Sequence, residues 1–239
     1  MLKRSVRWMR GLLVRWMEEP LIPTVLLVIA GSLWMFSEIS DEIGSDDTHG
    51  FDRAVLMSMR EPGDPSDPIG PVKIEEMGRD LTALGGFTIL TGLTVSSVGI
   101  AWVMRKRRLA GIIAVAVTGG MILTTFVKQG FDRPRPDLVP HGVVVTNASF
   151  PSGHAMMAAV VYLTLGLLLA RIQPLRPLRI YLVSLSVVIT LLVGVSRVYL
   201  GVHWPTDVLA GWTLGSAWAL AFWLIAIRLD RRPADSLAS

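Results

Sequence analysis

Long apolar runs alternate with short polar breaks along this 239-residue chain. Six runs stand out, at residues 21–36, 81–104, 109–127, 152–170, 178–198 and 206–227. A bilayer core of about 30 Å takes roughly 20 apolar residues in a helix. The pattern therefore predicts an all-α membrane protein, a six-transmembrane-helix bundle forming one domain over residues 1–239. The first run is the shortest and carries Pro23 near its start. Two other stretches are amphipathic. Within residues 1–19, Trp8, Met9, Leu12, Leu13, Trp16 and Met17 share one helical face with the arginines elsewhere. That reads as an interfacial helix, with a basic tail as the alternative. Residues 37–80 form a long polar segment in which Phe51, Val55, Leu56 and Met59 recur at helical spacing. A short amphipathic helix resting on the membrane surface is expected there, either shaping lipid access or covering the bundle. It stops before the turn-rich Glu61-Pro62-Gly63-Asp64-Pro65. Gly85, Gly86, Gly92, Gly119, Gly120, Gly211 and Gly215 punctuate the runs and predict close helix approach.

Composition supports the membrane assignment. Hydrophobic residues make up 51% of the chain, in unbroken runs rather than scattered core positions. With no cysteine, a disulfide framework, a thiolate nucleophile and a Cys metal site are excluded. The net charge of +4 matters less than its placement. Basic residues cluster at Lys3 to Arg15, at Arg105-Lys106-Arg107-Arg108, at Arg171, Arg176 and Arg179, and at Arg228, Arg231 and Arg232. With six spans these segments fall on one side, predicting cytoplasmic N- and C-termini. The acidic 37–80 segment then faces outward. Basic clusters beside hydrophobic spans point to the bilayer as partner and away from nucleic acid. Arginines interrupt any signal-peptide core near the N-terminus, and no small-x-small site follows.

The candidate chemistry lies at the outer ends of the predicted spans. Lys128 closes the third, and Arg135 follows in the loop. Ser152, Gly153 and His154 open the fourth, Arg197 closes the fifth, and His203 and Asp207 lead into the sixth. Ionisable residues at such depth are costly and usually functional, although Lys128 and Arg197 singly could be snorkelling anchors. Three clustered cations repel one another unless an anion sits among them, and guanidinium forks match phosphate oxygens. Ser152 suits an N-cap and Gly153 lets a ligand approach a helix start, where free N–H groups favour an anion. Ordinary capping is the bland alternative. Asp207 follows His203 at i,i+4, which places the two on one helical face. A carboxylate fixing one imidazole nitrogen leaves the other nucleophilic, so His203 is the better nucleophile. His154 then suits the general acid and base. A zinc site built on the two histidines and Asp207 is disfavoured by the adjacent cations, so no metal and no cofactor is expected. His49 and His141 read as solvated loop residues. Asp132 is a possible ion-pair partner and Arg133 a possible second phosphate contact.

These residues resemble the three-part signature of the type-2 phosphatidic acid phosphatase superfamily. That signature is Lys-x6-Arg-Pro, Pro-Ser-Gly-His and Ser-Arg-x5-His-x3-Asp. Here it reads without departure at Lys128 to Pro136, Pro151 to His154 and Ser196 to Asp207. The resemblance implies a metal-independent phosphatase working through a phosphohistidine on His203. It makes Asp207 the orienting partner and His154 the acid/base. Lys128, Arg135, Ser152, Gly153 and Arg197 become the phosphate-binding residues. It also implies a lipid substrate: undecaprenyl diphosphate, phosphatidylglycerol phosphate or phosphatidic acid.

The expectation is thus a multi-pass hydrolase of the bacterial cytoplasmic membrane, with its site on the extracytoplasmic face. A lipid phosphotransferase using the same intermediate is the alternative enzyme. A lipid-phosphate transporter is the alternative from another class, disfavoured because its sites would lie near the midplane.

Overall fold

The computed structural model describes residues 21–43, 45–140 and 148–231. The expected interfacial helix at 1–19, His141 and the end of the basic tail lie outside the described residues. Within them the chain runs α1 (Leu21–Glu42), α2 (Asp46–Met57), β1 (Arg60–Glu61), β2 (Asp64–Pro68), α3 (Val72–Ala83), α4 (Phe87–Val103), α5 (Arg107–Gln129), α6 (Gly153–Ile172), α7 (Arg176–Tyr199) and α8 (Pro205–Arg231). By length and composition, α1, α5, α6, α7 and α8 can cross a bilayer. A sixth crossing exists only if α3 and α4, bent by 46°, are taken together.

That bend corrects the single straight span expected at 81–104. The helix stops at Ala83, where the following Gly85 and Gly86 permit a break, and Gly86 is extended at φ −74°, ψ 151°. Tertiary contacts hold the break. Tyr162 Oη donates to the Leu84 carbonyl at 2.9 Å. A Cβ at Gly85 would stand 2.5 Å from Val193 and 3.3 Å from the His154 carbonyl oxygen. The chain kinks at the one place where it must touch α6 and α7 beside the site.

Helix α8 packs on α1, α5, α6 and α7, and α6 is the innermost span. In α6, 61% of the most apolar window is buried, against 11% in α1, whose outer face is left for lipid. Leu90, Val117, Val161, Leu165 and Val193 join α4 to α7 in one core. A π-helical turn at Ala159–Leu163 sits in the middle of α6, fully buried at Ala159, Val160 and Val161. The glycine stripe of α8 acts as expected. Hypothetical Cβ atoms at Gly211 and Gly215 would lie 2.8 Å from the Ser152 oxygen and 2.6 Å from the Met156 oxygen, so only glycine lets the two backbones meet. Gly119 and Gly120 likewise admit Trp218 and Val160. Gly92 differs: no atom lies within 4 Å of its Cβ position, so it faces outward and makes no close helix contact.

Residues 37–80 are more structured than a loop, and they depart from an all-α chain. Pro62-Gly63, with Gly63 at φ 95°, turns a two-stranded antiparallel hairpin between β1 and β2. Helix α2 does form where the apolar spacing placed one. It covers the bundle, one of the two roles expected of it. Leu56 is fully buried against Val139, Ala155, Val198, Trp204 and Val208.

Candidate active site

Each motif is set in place by a local rule. Helix α5 ends with Lys128 in its last turn. The chain beyond it is tied across the loop: Ser149 N–H donates to the Arg133 carbonyl at 2.9 Å, and buried Phe150 packs edge-on to Phe131. Ser152, in extended geometry, then caps α6, its Oγ accepting from Ala155 N–H at 3.5 Å. Helix α7 ends in a Schellman turn. Gly201, at φ 71°, donates to Val198, and Val202 N–H reaches the Arg197 carbonyl at 3.2 Å. That left-handed residue swings His203 back over the helix end. Pro205 starts α8, and Asp207 in its first turn reaches back to accept from Trp204 N–H at 2.9 Å.

These ends converge. Lys128, Arg135, Gly153, His154, Arg197 and His203 line one end of a cavity of about 550 Å³. Phe87, Leu90, Val117, Met121 and Met157 line its apolar part. Arg197 is 3% exposed; its Nη1 donates to Thr82 Oγ1 at 2.8 Å, while its buried Nε has no partner among the described residues. Lys128 Nζ donates to the Ala148 carbonyl at 3.1 Å. Arg135 Nη1 donates to the Val202 carbonyl at 2.6 Å and lies 3.2 Å from His203 Nε2. The first turn of α6 meets the cavity at Gly153 and His154. There the helix N–H groups lack intrahelical acceptors and favour an anion.

His203 Nδ1 is 3.3 Å from Asp207 Oδ2. A carboxylate can only accept, so Nδ1 carries the proton and Nε2 is left unprotonated, 3.2 Å from the Arg135 guanidinium that lines the same cavity. Burial pushes the imidazole down to about 4, against the pull of Asp207, so the ring is neutral. His203 and Asp207 could have supplied two zinc ligands at i,i+4. They bond each other, and no third His, Asp or Glu among the described residues completes a metal-binding group.

Ser152 is fully buried; its hydroxyl caps α6 and its N–H donates to the Asp207 carbonyl at 2.9 Å. These bonds fix the helix start that brings Gly153 and His154 to the cavity. One sequence expectation changes here. Arg133 is not a phosphate contact. Its Nη1 donates to Asp207 Oδ1 at 2.6 Å and to Thr206 Oγ1 at 2.8 Å, and its Nη2 to Asp52 Oδ2 at 2.6 Å. Asp132 is exposed, and His49 is exposed as expected but lies on α2 instead of in a loop.

Sequence reasoning missed the partners of that guanidinium. Asp52, from α2, accepts from Thr206 N–H at 2.9 Å and from Thr206 Oγ1 at 2.7 Å, capping α8 from another helix. Ser149 Oγ donates to Asp207 Oδ2. With His203, Trp204 and Arg133, four donors hold the Asp207 carboxylate. Asp52 and Ser149 belong to none of the three motifs. Asp52 had one signal: a carboxylate four residues before Leu56, on the buried face of the predicted α2.

The sequence pattern of the PAP2 superfamily matches residues 109–231. A phosphatidylglycerophosphatase B of Bacillus subtilis (strain 168) is 36% identical over 154 residues, covering 64% of this chain and 73% of that protein. An undecaprenyl-diphosphatase of Sulfolobus acidocaldarius is 42% identical over 71 residues, 30% of each chain. The crystal structure of a transmembrane PAP2-type phosphatidylglycerolphosphate phosphatase from Bacillus subtilis has a similar fold. Its TM-score is 0.75 at 28% identity, over 85% of this chain and 98% of that one.

Proposed function

This chain belongs to the PAP2 superfamily, and from that premise we propose that it hydrolyses a membrane lipid phosphate or diphosphate through a phosphohistidine on His203. The observation that carries the reading is His203, paired through Nδ1 with Asp207 and lining one cavity with His154 and three cations. His203 Nε2 attacks phosphorus in line with the leaving oxygen, which takes a proton from His154 as its bond to phosphorus breaks. His154 then accepts a proton from water, whose oxygen attacks phosphorus and releases His203. Lys128, Arg135 and Arg197, with the Gly153 end of α6, bear the charge on the equatorial oxygens. Asp207 keeps the proton on Nδ1 through both steps.

The apolar end of the same cavity supports a lipid over a soluble ester, since it gives an acyl or prenyl chain a wall next to the phosphate end. Phosphatidylglycerol phosphate and undecaprenyl diphosphate, named by the relatives, are the leading substrates. The basic segments support an orientation with both termini cytoplasmic and the site on the extracytoplasmic face of a bacterial cytoplasmic membrane. The discriminating experiment is phosphate release by the purified chain from a panel of lipid phosphates and diphosphates in detergent. Turnover of one or more of these lipids in excess metal chelator is expected. Release confined to water-soluble esters sinks the lipid assignment, and label passed to a second lipid instead of water selects the phosphotransferase.

The buried imidazole adds a pH prediction. The neutral ring is the nucleophile, so activity is present above the folded pKa of His203 and lost as pH falls through it. In kcat/KM the His203 limb is expected near pH 4, well below the ordinary histidine value of 6.5. The measurement uses a substrate whose own phosphate ionisation has been titrated separately. A limb at 6.5 that the substrate does not explain contradicts the geometry.

A further inference from the structure

A second cavity, of about 530 Å³, opens at the other end of the bundle. Arg107 and Lys128 sit at opposite ends of α5, which separates the two cavities by roughly 30 Å. Arg105, Lys106, Arg107, Arg108 and Arg171 line it, over a floor of Leu109, Ile112, Leu168 and Ile172. Among the described residues, no carboxylate lies within ion-pair distance of Arg105, Lys106, Arg107 or Arg108. Arg107 stacks over Trp102, 4.9 Å from the ring centre.

A groove continues from this cup along α5 and α8, past Gly111, Val115, Phe222, Ile225 and Leu229, and shares Arg108 and Ile112 with it. Val115 is 60% exposed, and nothing lies within 4 Å of the Gly111 Cβ position, so the groove is open along its length. A basic cup leading into an apolar channel matches a molecule with an anionic head and a hydrocarbon tail.

The turn that carries the cations is strained. Helix α4 closes in a Schellman turn, with Arg105 N–H donating to Trp102 and Lys106 N–H to Ala101. Its left-handed position, φ 58°, is held by Arg105, where glycine is the usual residue. An L side chain there destabilises the turn, and Arg105→Gly would relieve it at no cost in hydrogen bonds. The strain keeps one more guanidinium at the cup.

We propose that the cup and groove bind one anionic diacyl phospholipid, with the head phosphate among the guanidinium groups and an acyl chain along α5 and α8. The site is separate from the phosphatase cavity and does not depend on its chemistry. Bulk attraction of a basic surface to an anionic leaflet needs no groove, whereas this site requires one.

The test uses the full chain purified in detergent and stripped of lipid. Retained lipid is counted by native mass spectrometry, and the rise in melting temperature is followed on adding phosphatidylglycerol. Wild type is expected to retain phosphatidylglycerol at this site and to gain thermal stability, with no matching gain from phosphatidylcholine or from soluble glycerol phosphate. Arg105→Gly is expected to melt higher than wild type without lipid, yet to bind phosphatidylglycerol about fivefold more weakly, from the loss of one cation. Gly111→Leu keeps every cation and fills the groove, and is expected to lose the lipid-dependent gain. Both variants should keep wild-type phosphatase turnover, which reports an intact fold. The proposal is overturned if either variant keeps the full wild-type response. It is equally overturned if glycerol phosphate or phosphatidylcholine reproduces that response.

Discussion

Replacing His203 by Gln is expected to lower turnover by roughly 10⁴-fold or more and to abolish the covalent phosphoenzyme. The amide can still occupy part of the imidazole space, and Asp207 keeps the Ser149, Trp204 and Arg133 donors. The loss is therefore expected in kcat, with the protein still folded. His154→Gln separates the two histidines. With an aryl phosphate, whose leaving group needs no proton, the first step survives. The second, which needs a base for water, slows by roughly 10² to 10⁴. Label from the substrate should therefore accumulate on His154→Gln in an alkali quench and be lost in acid, as expected of a phosphoramidate. It should be absent from His203→Gln. Labelled phosphoenzyme in the His203 variant would mean that another residue is the nucleophile.

Arg133→Met is expected to cost about 3–5 kcal/mol of stability and most of the activity. Arg133 is 5% exposed, and Asp52 and Asp207 are fully buried. Removing the guanidinium leaves two buried carboxylates without the cation that each contacts. Lysine is not expected to rescue, because its three donors sit on one nitrogen and lack the span by which Nη1 reaches Asp207 and Thr206 while Nη2 reaches Asp52. Arg133 does not line the cavity, so the activity lost should appear in kcat, through a misplaced Asp207 and the wrong His203 tautomer. Arg197→Gln, in the cavity, should instead raise KM. Pairing Arg133→Met with Asp52→Asn is the decisive measurement. The double variant should recover part of the lost melting temperature, since one uncompensated charge has gone. Wild-type melting and kcat in Arg133→Met would show that the network carries nothing.

How far the sequence could be read varies from residue to residue. The His203–Asp207 pair was legible because i,i+4 spacing at a helix start is a local rule, and the structure places the two side chains 3.3 Å apart. The ends of α5, α6, α7 and α8 were legible to within a few residues, because apolar length and end residues set them. Spacing from Lys128 singles out Arg135 as the signature arginine and leaves Arg133 as only a possible second contact. What gives Arg133 its place is Asp52, 81 residues away. The break at Leu84 to Gly86 was read through as continuous helix. Two glycines in an apolar run permit a bend without requiring one, and the requirement comes from Tyr162, Val193 and His154.

By itself, then, the sequence determined the membrane class, the positions of the unbroken long spans and the family signature. Hydrophobic length and covalent spacing are local properties, and they survive any rearrangement of the bundle. Only the tertiary structure decided that Arg133 is locked between Asp52 and Asp207. The same holds for α2 as a cover that caps α8, and for the cup and groove at the far end. Each of those depends on groups distant in the chain meeting in a buried place, where an unpaired charge or an unfilled space is costly enough to select one partner.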